Sequence, residues 1–144
     1  EGHLYMDDGQ TFAYRDDQAF LARKFTLTRD GPGHLRLAST SLTGRDIHTS
    51  ASSTALQVPG NAYEQETSSV RVERIIVYGL PEVHRIIARD AHGHETSLAF
   101  TYTSGTSRSP TASDASARLA SRLEIRDPRV LIGQDWSILM EIAP

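Results

Sequence analysis

The sequence predicts an all-β fold, an antiparallel β-sandwich with long Ser/Thr-rich loops. Three observations carry this expectation. Apolar residues recur at a spacing of two rather than three and four, the period of a strand and not of a helix. The apolar runs are short and rich in β-branched residues. Turn residues interrupt them at close intervals, as in proteins built from hairpins rather than from alternating strands and helices.

The elements follow in chain order. Residues 3–6 form a brief apolar stretch that ends at Asp7-Asp8-Gly9, a strong turn signal. Over 20–28, Leu21, Phe25 and Leu27 share one parity, with Ala22, Lys24 and Thr26 on the other. Asp30-Gly31-Pro32-Gly33 then reverses the chain, and the alternation resumes at Leu35 and Leu37, so a hairpin is expected. The strongest strand is predicted over 70–78. Val70, Val72, Ile76 and Tyr78 lie on one face of it, Ile75 and Val77 on the other, so its second half should be covered on both sides. Gly79-Leu80-Pro81 ends it. A strand over 83–88 follows, then a turn at Asp90-Ala91-His92-Gly93-His94, then one strand over 97–103 alternating through Leu98, Phe100 and Tyr102. Closing strands are expected around Leu123 and Ile125, over 130–132, and through Trp136, Ile138 and Met140, whose shared parity puts the indole in the core. Two stretches, 40–63 and 103–120, hold many Ser, Thr, Ala and Gly residues and few large apolar ones. They have too little surface to bury against the entropy of ordering, and long mobile loops are expected there. In the second, Asp114 is placed to cap a short helix with Ala115 and Leu119 on one face.

Composition narrows the class further. A chain of 144 residues is the size of one domain, residues 1–144 together, and buries roughly two-thirds of its unfolded surface. With 38% hydrophobic and 23% charged residues, it is not a charge-driven disordered chain. Fifteen Lys and Arg against 18 Asp and Glu leave a formal charge of -3. Such a balance gives no global field for a polyanion, so neither nucleic acid nor an anionic membrane is expected as the main partner. The longest apolar runs fall far short of the roughly 20 residues of a membrane helix. With no cysteine, disulfides, thiolate metal sites and cysteine nucleophiles are excluded. The chain opens on Glu1 with no secretory signal, so a cut boundary and membership in a larger polypeptide are expected.

Few residues invite a chemical role. Asp7 and Asp8 are the most tempting acid pair, but glycoside hydrolysis needs two carboxyls facing each other across roughly 5–10 Å. Neighbours in an extended strand point to opposite faces, and at a turn such residues bond their own backbone. His92-Gly93-His94, near Asp90 and Glu95, has a spacing that metal sites use, yet a hairpin tip without supporting ligands reads as a solvated turn. His3, His34, His48 and His84 are scattered, and neither a nucleophile elbow nor a phosphate-cradling glycine loop is present. Among the aromatics, Tyr5, Phe12, Tyr78, Tyr102 and Trp136 read mainly as packing residues. Tyr14 and Tyr63 fall in loop-like sequence and are the residual candidates for sugar contact. From the residues alone, no catalytic, cofactor-binding or metal-binding residue is assigned.

Several stretches also carry a resemblance. The run Gly2-His3-Leu4-Tyr5-Met6-Asp7-Asp8-Gly9-Gln10-Thr11-Phe12-Ala13-Tyr14 resembles the opening of the last domain of glycoside hydrolase family 31, usually written Leu-Tyr/Phe-x-Asp-Asp-Gly-x-Ser/Thr-Phe-x-Tyr. Phe20-Leu21-Ala22-Arg23-Lys24-Phe25-Thr26 is similar to the strand that follows, and Val72-Glu73-Arg74-Ile75-Ile76-Val77-Tyr78-Gly79 to the central strand of that domain. Asp135-Trp136-Ser137-Ile138 is similar to the tail of the family's endoplasmic-reticulum branch, which trims glucose from N-glycans. The resemblance implies the distal C-terminal β-sandwich of a retaining α-glucosidase that uses no metal or other cofactor. The family's nucleophile and acid/base are aspartates of a (β/α)8 barrel upstream of this domain, and no residue here matches their motifs. The implied partners are the barrel-containing part of the same enzyme and a regulatory β subunit. The implied substrate is α-1,3-linked glucose on a high-mannose N-glycan, and the implied compartment is the lumen of the endoplasmic reticulum. The extended segment 103–120 and the polar stretch 45–61 depart from the family pattern. A second reading, from a different class, is an autonomous carbohydrate-binding module presenting aromatics from one sheet face. A third, a structural adhesion-type sandwich, is opposed by the motif matches.

Overall fold

Antiparallel pairing dominates the computed structural model, which describes residues 1–17, 19–42, 63, 66–105 and 120–143. Strand β1 (Gly2–Met6) ends at the acidic turn and is followed by one short helix, α1 (Ala13–Asp16). The hairpin expected next forms from β2 (Leu21–Arg29) and β3 (His34–Ser41). Its turn places Gly33 at φ 72, a left-handed conformation that glycine adopts without strain. A single 3-10 turn (Thr67–Ser69) precedes β4 (Arg74–Tyr78), and β5 (Val83–Arg89), β6 (Glu95–Ser97) and β7 (Phe100–Thr103) follow. The chain closes with β8 (Arg122–Arg126) and β9 (Trp136–Ile142).

These strands make two sheets. One has six strands in the order β1-β2-β3-β9-β5-β6, the other three in the order β4-β8-β7. Alternation sets which side chains meet between them. Leu37 pairs with Ile138, Leu35 with Met140 and Ile86 with Met140, so one face of the larger sheet is apolar across three strands. Opposite it, Ile75 pairs with Ile125 and Val77 with Leu123. Leu123, Ile125, Ile138 and Met140 are fully enclosed and join Val83, Ile86, Leu98 and Trp136 in one core. Trp136, Ile138 and Met140 are buried on alternate positions, as their parity predicts.

Five expectations are corrected. The strand predicted over 70–78 begins only at Arg74. Before it Arg71 makes an isolated bridge to Leu131, and Val72 turns in to pack on the core beside Ile75 and Val77. The second half of that strand is covered on one side only among the described residues, because Ile76 and Tyr78 are exposed. The strand predicted over 130–132 is reduced to that same bridge. Asp127 and Arg129 take left-handed φ values of 46 and 57 around Pro128, which cannot donate to a ladder. The strand predicted over 97–103 divides at Leu98–Ala99, leaving β6 in the larger sheet and β7 in the smaller. The loop predicted from residue 40 begins later, since β3 pairs to Ser41. The greater part of the stretches 40–63 and 103–120, with the Asp114 cap, lies outside the described residues.

Candidate functional site

The turn after β1 gathers both aspartates of the acid pair and several of the aromatic residues singled out in the sequence. Asp7 Oδ1 accepts the Gly9 N–H at 2.9 Å, and Asp8 Oδ1 accepts the N–H groups of Gln10 and Thr11, both at 3.1 Å. Asp8 Oδ2 also accepts the Thr11 hydroxyl at 2.5 Å. The Thr11 side chain and backbone, then the Gln10 N–H, hold the Asp8 carboxyl below the usual carboxylate range. Gly9 supplies the left-handed residue of the turn at φ 62. Both carboxylates are thus committed to their own backbone, which is turn chemistry rather than the presentation of an acid and a base.

Aromatic rings surround this turn. Tyr5 stacks on Phe20 with centroids 5.4 Å apart, and the Tyr63 hydroxyl donates to the Asp7 carbonyl at 3.0 Å. Desolvation and a hydrogen bond to Asp7 push the Tyr5 phenol above its ordinary value. Phe12 lies 6.3 Å from Tyr14, and the Arg15 guanidinium sits 5.2 Å over the Phe12 ring. Of the two sugar-contact candidates, Tyr63 spends its hydroxyl on the turn. Tyr14 is the more accessible, but its ring is inclined 50° to Phe12, so the pair offers no flat platform.

The histidine turn is held in the same local manner. Asp90 Oδ1 accepts the N–H groups of His92 and His94 at 2.8 and 2.9 Å, and His94 Nδ1 lies 3.1 Å from Asp90 Oδ2. Bonds from the His94 backbone, its ring and the His92 backbone lower the Asp90 carboxyl from its ordinary value. The rings of His92 and His94 stand 6.1 Å apart at 51°, and both residues are exposed. Among the described residues, no three His, Asp or Glu side chains converge as a metal site would require.

Two concavities flank Trp136. One, of about 160 Å³, is polar and bounded by Arg71, Asp90, Arg129 and Asp135. The other, of about 430 Å³, is an open apolar groove where the narrow sheet stops short of β2, between Phe25, Leu27 and Leu37 on one side and Val72, Ile75 and Val77 on the other. Trp136 is only 6% exposed and packs on Phe25 at 6.0 Å, so it is a core residue and not a sugar platform.

Sequence reasoning passed over Arg23. It is 1% exposed on the core face of β2. Its guanidinium donates to Ser39 Oγ at 3.0 Å, to the Gln134 carbonyl at 2.5 Å and to Asp135 Oδ1 at 2.7 Å. Asp135 also accepts the Ser41 N–H at 2.9 Å, so this one ion pair fixes the turn that launches β9 against the end of β3. The available signal was parity, because Arg23 shares the face of Leu21, Phe25 and Leu27.

No protein-family profile matches the chain, and no curated protein sequence matches it significantly. Solved structures do match. A glucosidase II alpha subunit with Glc1Man2 bound superposes with a TM-score of 0.59 and 23% identity, over 96% of this chain and 13% of that one. The chain has the fold of one segment of a glucosidase II alpha subunit. A heterodimeric glucosidase II of the endoplasmic reticulum, comprising the catalytic subunit and the binding domain of the regulatory subunit, matches with a TM-score of 0.63 and 23% identity. A DNJ-bound glucosidase II alpha subunit matches with a TM-score of 0.59. This chain therefore spans only about an eighth of the glucosidase II chains it matches, which are chains of a glycoside hydrolase.

Proposed function

We propose that the chain is a non-catalytic C-terminal β-sandwich domain of a retaining α-glucosidase of glycoside hydrolase family 31. The observation that carries this reading is the coverage: 96% of the chain superposes on a small share, 12–13%, of glucosidase II chains. The acidic turn supports it as well. Asp7 and Asp8, the carboxylates that the family-like opening places here, are tied to backbone N–H groups and leave no opposed pair at the turn. In this reading the complete enzyme removes α-1,3-linked glucose from N-glycans in the lumen of the endoplasmic reticulum. Its barrel supplies the nucleophile and the acid/base, and it needs no cofactor or metal. The partners of the present domain are that barrel-containing body and, through it, a glucosidase II β subunit.

The reading is tested on the purified 144-residue chain with p-nitrophenyl α-glucoside. No turnover is expected, since a retaining mechanism requires a nucleophile and a proton donor on opposite sides of one bond. Turnover that a substitution within the chain abolishes overturns the reading. A glucan-binding assay run alongside examines the alternative, an autonomous carbohydrate-binding module resting on the exposed rings of Phe12 and Tyr14. Binding that Phe12→Ala and Tyr14→Ala remove would favour the module.

A further inference from the structure

We infer that the outward face of the three-stranded sheet is a docking surface for an acidic, apolar-edged protein surface on the catalytic body of the enzyme. The inference rests on the domain reading above and adds which surface is used. Strand β8 is the middle strand of this sheet, so its outward residues stand at the centre of the face. There Glu124 receives three guanidiniums: Arg122 at 2.7 Å, Arg126 at 2.8 Å and Arg74 at 3.4 Å. Arg126 and Arg122 together hold the Glu124 carboxyl below its ordinary value. Arg74 and Arg126 are paired directly across β4 and β8, a like-charge juxtaposition that Glu124 relieves only in part. Among the described residues, this cluster of three cations around one anion carries a net charge of +2, in a chain whose formal net charge is -3. The excess has a sign opposite to that of the chain as a whole and selects a partner surface rich in carboxylates.

An apolar border lies beside these charges. Ile76 is register-paired with Glu124 and Tyr78 with Arg122, and the two are 38% and 62% exposed. The sequence of β4 is apolar on both parities through Ile75, Ile76, Val77 and Tyr78, a pattern of strands buried on both faces. The core covers Ile75 and Val77, and no described residue of the chain encloses the opposite pair. Tyr and Arg are also the residue types that anchor protein interfaces. Charge and apolar pattern therefore indicate the same face independently.

Footprinting tests the inference without a destabilising variant. The isolated chain and the native protein, purified with an antibody against this chain from the cells that make it, are labelled with hydroxyl radicals and with phenylglyoxal. Peptide mass spectrometry then reads modification at Tyr78, Arg74, Arg122 and Arg126, with Arg36 of β3 as an exposed reference. Tyr78 and the three arginines should be labelled readily in the isolated chain and about tenfold more slowly in the native protein, as expected for a desolvated interface centre, while Arg36 is unchanged. If the native species is larger than the chain and its face is labelled as fast as in the isolated chain, the surface assignment is overturned and the domain reading stands. If the native species is the 15.9 kDa chain alone, both fall. An isolated chain that sediments as a dimer with Tyr78 already protected overturns the assignment in favour of a second copy.

Discussion

Truncating Trp136 to alanine tests whether the indole belongs to the core. Its side chain is 6% exposed, lies 6.0 Å from Phe25, and occupies the alternate-position row with Ile138 and Met140 that faces the smaller sheet. Removing a buried aromatic ring costs about 3–5 kcal/mol, through lost transfer free energy and the cavity left behind. A domain of this size has only about 5–15 kcal/mol of net stability, so the variant should lose roughly a third to a half of a mid-range value. With a urea slope of about 2 kcal/mol per molar, a loss of about 4 kcal/mol lowers the unfolding midpoint by about 2 M. Because this is the sole tryptophan, the transition has to be followed by circular dichroism rather than by indole fluorescence. A second variant separates packing from polarity. The Trp136 Nε1 hydrogen has no acceptor among the described residues, and an unsatisfied buried donor is itself costly. Trp136→Phe keeps a ring and discards that donor, so it should cost clearly less than Trp136→Ala. A midpoint unmoved by Trp136→Ala would refute the core assignment. Equal losses for both variants would refute the argument from the unpaired donor.

Other substitutions probe the polar contacts that fix the sheets. Arg23 is enclosed while Asp135 remains largely solvated, so Asp135→Ala, which strands a buried guanidinium, should destabilise more than Arg23→Met, which leaves a carboxylate in water. Urea titration of both variants checks the order, and the larger loss should lie near the lower end of the roughly 3–5 kcal/mol seen when buried pairs are broken. Asp8 should contribute to the acid limb of stability. Its folded carboxyl titrates below its unfolded value, so its contribution is present above the unfolded pKa and is lost as pH falls through the depressed folded one. The difference in melting temperature between wild type and Asp8→Ala should therefore be fully present at neutral pH and shrink below about pH 4. A difference that is constant with pH would contradict the turn geometry.

What the sequence reveals and what it hides divide along the range of the interactions. The hairpin of β2 and β3 is legible because its turn residues and the parity of Leu21, Phe25, Leu27, Leu35 and Leu37 are local signals that agree. The acidic turn is legible for the same reason, since Asp7 and Asp8 bond residues two and three positions away. The division between β6 and β7 is hidden, because Leu98, Phe100 and Tyr102 face the same core on either side of the change of sheet, and the alternation runs on unbroken. The shortened β4 is hidden by Val72, whose apolar side chain suits a continuing strand but turns to the core as the ladder ends. Val130 is buried although it lies in no strand, so apolar character there reported burial and not extension. At the site, the hydrogen bond from Tyr63 to Asp7 joins residues 56 apart, and the pairing of Arg23 with Asp135 joins residues 112 apart. No local pattern encodes either. Only the parity of Arg23 marked it as facing inward.

The central claim, that this chain is one domain of a larger α-glucosidase, is most directly tested by the size and activity of the native protein. Immunopurified material should be resolved by native and denaturing mass measurement and assayed on an α-1,3-linked glucose disaccharide. The account predicts peptides of this chain within, or tightly held to, a polypeptide several times the mass of the 15.9 kDa chain, with glucosidase activity that copurifies with it. A native species of 15.9 kDa, free of any larger polypeptide and without hydrolytic activity, would contradict it.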